Sequence, residues 1–285
     1  MYTSKRYQTG FSIISLMIAS AIGIFIIGGA LKVYIDSKNT FNARSAVAAA
    51  TENYRFAFQD MRRTLVMAGR DVSPADDGSD AYQAADNGLR TFPAIDPYGI
   101  VSGATAHGST WSPDPEDSSI VAIRYASGPA PCGLPDNTLD AGTITVRFLV
   151  DPESNLICQV YQGSTQLVAQ PIVSGIAQMR ALYGVDRLGI APDTDIPDGV
   201  ADIYLTAAEM DSNDWPAVVS IRIGLVVQSG DGIELPNAFR PDAYQTLDLL
   251  GATYTAPDTN NVYKSASTTI SLRNLHHVDR QPSDN

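Results

Sequence analysis

The sequence predicts an α+β fold in which one long N-terminal helix packs across an antiparallel β-sheet. Two observations predict it. No proline occurs between Met1 and Val72, and good helix formers fill that stretch behind an uncharged run from Phe11 to Leu31. Beyond it the hydrophobic period changes to two, in short β-rich segments set between turns rich in Asp, Pro, Gly and Ser.

The 21 residues from Phe11 to Leu31 carry no charge, and as a helix they extend about 32 Å, the hydrocarbon thickness of a bilayer. Lys5 and Arg6 precede the run, so the positive-inside rule keeps the N-terminus in the cytoplasm and sends the rest of the chain across the membrane. A secretory signal fits poorly. The small-residue triplet Ala19-Ser20-Ala21 is followed by ten further residues rich in isoleucine and glycine, so cleavage there would leave an apolar stub. The helix runs on past the apolar part. Val47, Thr51, Tyr54, Phe58, Met61, Leu65 and Ala68 follow at alternating spacings of four and three, an amphipathic stripe predicted to cover the sheet. Gly69, with Pro74 soon after, should end a helix of about 58 residues and about 87 Å. Gly28-Gly29 interrupts the apolar half, each glycine weakening a helix by about 1 kcal/mol relative to alanine.

The predicted strands are "SIVAIRYA", "TITVRFLV", "NLICQVYQ", "AQMRALYGV", "VVSIRIGLVV" and "TTISLRN". Ile144, Val146, Phe148 and Val150 share one face of their strand, and Val219, Ile221, Ile223, Leu225 and Val227 one face of another. The turn "DPES" predicts a hairpin between the second and third. Long linkers are expected at Arg70–Ser118, Asp186–Asp202 and Gly230–Val262, and linkers of this length tend to be functional surfaces.

Composition excludes some function classes. A net charge of −12 argues against nucleic acid as the main direct ligand. Charged residues are only 18 %, which suits an exported, loop-rich chain. In that setting the two cysteines, Cys132 and Cys158, read as a disulfide rather than a metal site, with two free buried thiols as the alternative. Zinc needs four ligands, and only three histidines are present. Closing that loop would stabilise by about 3.5 kcal/mol in the chain-entropy model.

The stretch "GFSIISLMIAS" resembles the processing signal of type IV pilins and of the pseudopilins of type II secretion. The resemblance implies a leader at residues 1–10, cleaved between Gly10 and Phe11 by a prepilin peptidase that also N-methylates Phe11. It implies that 11–69 is the long helix, with 11–31 the transmembrane and assembly part and 36–68 amphipathic, and that 70–285 is a periplasmic, β-rich pilin domain with long loops. Phe11, Ser15, Leu16, Ile22, Gly28 and Gly29 would then lie in the assembly region. Ser15 departs from the family pattern, because the fifth mature position usually holds a glutamate thought to pair with a neighbour's terminal amine. Minor subunits at or near a filament tip can lack it, since no neighbour lies above them. The rest of the chain is similar to one branch, the PilW-type minor pilins. "ENYRFAFQDMRRTLVMAGRD" resembles their end-of-helix signature; "SSIVAIRYAS", "SNLICQVYQG", "ALYGVD", "WPAVVSIRIGLVVQS" and "TTISLRN" follow in the same order.

Catalysis has little support. No G-x-S-x-G, H-E-x-x-H or phosphate-loop motif occurs, and the histidines are His107 and the adjacent His276-His277, which would point apart on a strand. No cofactor is expected. The segment "DRLGIAPDTDIPDGVAD" offers a weak Ca²⁺ candidate in Asp193, Asp195, Asp198 and Asp202, with Asp186 nearby, but its spacing is not that of an EF-hand.

The expectation is therefore a non-enzymatic, single-pass inner-membrane minor pilin. Its C-terminal domain faces the periplasm, and it later resides at the pilus tip or cell surface. It would sit in membrane lipid before assembly, then join other minor pilins and the major pilin on the inner-membrane assembly platform. There it would prime pili that support attachment, twitching motility or DNA uptake. A type II secretion minor pseudopilin is the nearest alternative. A membrane-anchored periplasmic enzyme and an adhesin whose loops bind a surface ligand are alternatives of other classes.

Overall fold

The structure is a computed structural model that describes residues 12–70, 95–96, 99–100, 120–126, 128–135, 142–163, 165–187, 199–211, 214–229 and 235–275. Helix α1 spans Ile13–Leu65 without a break, 53 residues or about 80 Å. It is shorter than expected because its last turn loosens over Val66–Arg70, where Gly69 takes the left-handed φ of 76° that closes a helix. The exit is then held on the sheet. Gly69 N donates to the Arg124 carbonyl at 2.9 Å, and Ala126 N donates to the Arg70 carbonyl at 2.8 Å.

The strands are β1 (Ile95–Asp96), β2 (Gly99–Ile100), β3 (Val121–Tyr125), β4 (Ile144–Val150), β5 (Asn155–Gln162), β6 (Thr165–Ser174), β7 (Ile176–Val185), β8 (Ile203–Leu205), β9 (Val218–Gln228), β10 (Thr246–Leu249), β11 (Ala252–Thr255) and β12 (Tyr263–Ser271). The six predicted strands are β3, β4, β5, β7, β9 and β12, and β4 pairs with β5 through the predicted turn. Where the sequence predicts one antiparallel sheet, the described residues form two of four strands, in the orders β3-β4-β5-β6 and β12-β9-β7-β8, besides the two-stranded β1-β2 and β10-β11. The chain changes sheets in one residue, Gly175, at φ 78° between the last residue of β6 and the first of β7. Strand β6 escapes sequence reading because Pro171 demotes it. It is an edge strand, which is where a proline is tolerated.

The buried face of α1 differs from the predicted stripe. Ala46, Ala50, Ala57, Met61, Thr64 and Leu65 are buried, with Ala68 just past the helix end, whereas Tyr54 and Phe58 flank the core and Val47 is 37 % exposed. The seam is built of alanines because α1 crosses β6, β9 and β12, and small side chains let its backbone lie close to two sheets at once. Asn53 Nδ2 marks the crossing, donating to the Ser174 carbonyl at 3.0 Å beside the Gly175 kink. One core joins the layers: Ala57, Met61 and Leu65 of α1, Val146 and Phe148 of β4, Leu156 and Cys158 of β5, Met179 and Tyr183 of β7, Ile221 and Ile223 of β9.

Two smaller corrections concern β9 and the last linker. The register shifts where Gly184 and Val185 face Ser220 and Val218. Val218 therefore takes the core place expected of Val219, which is buried outside the main cluster. Within Gly230–Val262, the hairpin β10–β11 folds back over the outer face of the second sheet, Leu249 packing with Val226 and Tyr263. Its turn places Leu250 and Gly251 at φ 54° and 82°, and leucine there gives no turn signal in the sequence.

Candidate assembly helix and the domain it carries

The first 23 residues of α1, Ile13–Ile35, make a bare rod whose one charged side chain is Lys32. Ile13, Leu16, Ile18, Ile22, Ile26 and Leu31 are exposed, and Phe25 is 84 % exposed. A Cβ added at Gly23, Gly28 or Gly29 would meet nothing within 4 Å, so none of these glycines is required by contacts inside the chain. Ser15 lies in this rod, exposed and without charge, and the first acidic residue of the chain is Asp36. An uncovered surface of this kind is unfavourable in water, at about 25 cal/mol per Å² of apolar area. It fits a membrane anchor by length and composition. Gly10 and Phe11, the expected cleavage pair, lie outside the described residues.

The domain end of α1 is pinned from three sides. Asn274 Nδ2 donates to the Val66 and Ala68 carbonyls at 3.0 and 3.2 Å, acceptors that the end of the helix leaves free. Lys264 Nζ of β12 donates to Thr51 Oγ1 at 3.4 Å. The loop Pro129–Leu134 lies against the last turns, and its Cys132 is joined to Cys158 of β5 by the expected disulfide. Gln170 Nε2 donates to the Cys132 carbonyl.

The aspartate-rich loop is tied at its base. Arg187 makes a bidentate ion pair with Asp214, Nε to Oδ1 at 2.7 Å and Nη2 to Oδ2 at 2.6 Å. Hydrogen bonding from Arg187 lowers the Asp214 carboxyl below its ordinary range, outweighing the upward push of burial. Asp202 Oδ2 accepts from Arg187 N, and Asp186 Oδ2 accepts from Gly199 N, both at 2.8 Å. Asp186 and Asp202 thus serve the loop's backbone. Asp193, Asp195 and Asp198 lie outside the described residues, as do His107, His276 and His277. Among the described residues no group of three or more His, Cys, Asp or Glu could hold a metal.

Sequence reading missed Asn53, Asn274 and the Arg187–Asp214 pair, because a lone asparagine or aspartate gives no local signal of a partner far along the chain. It also missed a contact on the outer face of the second sheet. Tyr204 of β8 lies across Gly184, with Arg222 Cζ 3.7 Å from its ring centroid and its hydroxyl 3.3 Å from Ser220 Oγ.

The chain thus joins a bare rod, long and apolar enough to cross a membrane, to a helix that packs on a two-sheet domain. Residues 141–274 match the family model PilW, Type IV Pilus-assembly protein W. They run from just before β4 to Asn274, the residue that caps α1. Over that stretch, just under half of its length, the chain is similar to type IV pilus-assembly proteins of the PilW kind. No curated protein matches its sequence significantly. Among solved structures it is similar to a type IV-like pilin from Thermus thermophilus, at 13 % identity and a TM-score of 0.46, over 79 % of this chain and 96 % of that one. The α+β assignment stands on the helix and sheets of the chain itself.

Proposed function

We propose that this protein is a minor pilin that is processed between Gly10 and Phe11 and assembles into the complex that primes type IV pilus growth, near the fibre tip. The observation that carries the reading is the uncovered rod Ile13–Ile35, continuous with the helix that organises a PilW-type head. Before assembly the rod lies in the inner membrane with the head in the periplasm. Assembly exchanges lipid for the helices of other pilins, so the work is packing, and no bond is made or broken. Serine at position 15 supports a tip-proximal place, because a subunit with no neighbour above it has no terminal amine to neutralise.

Mass analysis of the N-terminus of membrane-extracted protein tests this. A chain starting at N-methylated Phe11 is expected; a start at Met1 or after Ala21 would overturn it. Deletion of the gene is expected to reduce fibre number. Deletion that spared fibre number but abolished attachment would favour an adhesin.

A further inference from the structure

A cavity of about 230 Å³ lies between the last turns of α1 and the loop Pro129–Leu134. Its helix wall carries Asp60, Arg63 and Thr64, and Tyr125 of β3 closes one side. The loop forms a fixed roof. Tyr125 Oη donates to the Pro129 carbonyl at 3.2 Å, Gln170 Nε2 donates to the Cys132 carbonyl, and the disulfide ties Cys132 to β5. The volume is below the roughly 300–1,000 Å³ of small-molecule sites, so an inserted side chain suits it better than a metabolite.

Asp60 supplies the chemistry. It is half-buried, and among the described residues no hydrogen-bond donor or ion-pair partner reaches its carboxylate. Burial raises its pKa, and the charge of Arg63 offsets this only in part. Arg63 itself is exposed. A carboxylate taken partly out of water without a donor is stabilised by any cation that reaches it, and the apolar stem of such a side chain could lie along the Tyr125 ring.

We propose that this cavity receives a lysine or arginine side chain of a neighbouring pilin subunit, which pairs with Asp60 beneath the Pro129–Leu134 roof. The proposal rests on the reading that the chain joins a fibre. The full-length protein is tested in cells that make pili, with Pro129→p-benzoylphenylalanine as the cavity probe and Phe25→p-benzoylphenylalanine on the rod as the assembly probe. The expected result is a cross-link from position 129 to a Lys- or Arg-containing peptide of another pilin. Asp60→Asn should reduce it about fivefold or more, and Asp60→Glu should retain it. Formation of the Cys132–Cys158 disulfide in each variant shows that the head has folded. If position 25 cross-links to pilins while position 129 gives no inter-subunit product, an intrachain product only, or one indifferent to Asp60→Asn, the cavity proposal is overturned and the assembly reading stands. If neither position cross-links to a pilin, both are overturned.

Discussion

Asn274 Nδ2 donates to the Val66 carbonyl at 3.0 Å, so a side chain 208 residues further along closes the end of the long helix. The same amide reaches Ala68, and two carbonyls at the helix exit depend on one residue at the end of the family-matched region.

Asn274→Ala is therefore expected to lower stability by about 1–2 kcal/mol, since two partly buried acceptors lose their donor. Asn274→Asp should cost at least as much, because a carboxylate facing two carbonyls only repels. Thermal unfolding of the full-length protein in detergent micelles, followed by near-ultraviolet circular dichroism, measures both. An unchanged midpoint for Asn274→Ala would show that water replaces the cap at no cost.

The Arg187–Asp214 pair predicts an acid limb. The Asp214 carboxyl titrates lower in the folded chain than in the unfolded one, so its contribution is present above the ordinary aspartate range near pH 4 and is lost as pH falls through the folded value. Asp214→Asn should destabilise by about 1–3 kcal/mol at pH 7, and the gap to the wild type should close towards pH 3. Denaturant titrations at the two pH values check this. A gap that stays constant with pH would mean the loss is one of packing, beside the Trp215 ring that stacks edge-on with Tyr183 at 4.9 Å.

Gly184→Ala tests the outer face. The added Cβ would lie 2.8 Å from both Ala201 Cβ and Tyr204 Cε1, which would have to move, taking the Arg222 stack with them. A loss of about 1–3 kcal/mol is expected, with altered tyrosine ellipticity. Gly224→Ala should act similarly through Leu249 and Leu250, whose Cδ1 and Cγ would lie 2.8 and 2.9 Å away. Wild-type stability in both variants would show that the covering elements move freely.

Reduction of Cys132–Cys158, or the double serine variant, releases the roof over the end of α1. The separation of 26 residues gives a cost of about 3.5 kcal/mol from loop entropy. Hydrogen exchange should quicken first at Met61–Ala68, the turns beneath that roof. Uniform acceleration across both sheets would indicate that the bond acts on the unfolded chain alone.

Much of the molecule is legible without coordinates. The uncharged run from Phe11 to Leu31 and the absence of proline before Val72 specify a helix long enough to leave the head. Alternation marks six strands, and Gly69 marks the exit. These are local properties, set by backbone sterics and by the period of apolar side chains. The tertiary structure decided what local periodicity cannot express. It chose the alanine seam over the aromatic stripe, because what fits between a helix and two sheets depends on the size of both partners. It split the strands at Gly175, let Pro171 stand in an edge strand, and brought Asn274 to Val66. Each of these is a match between surfaces far apart in the chain. Such a match exists only once the layers have met.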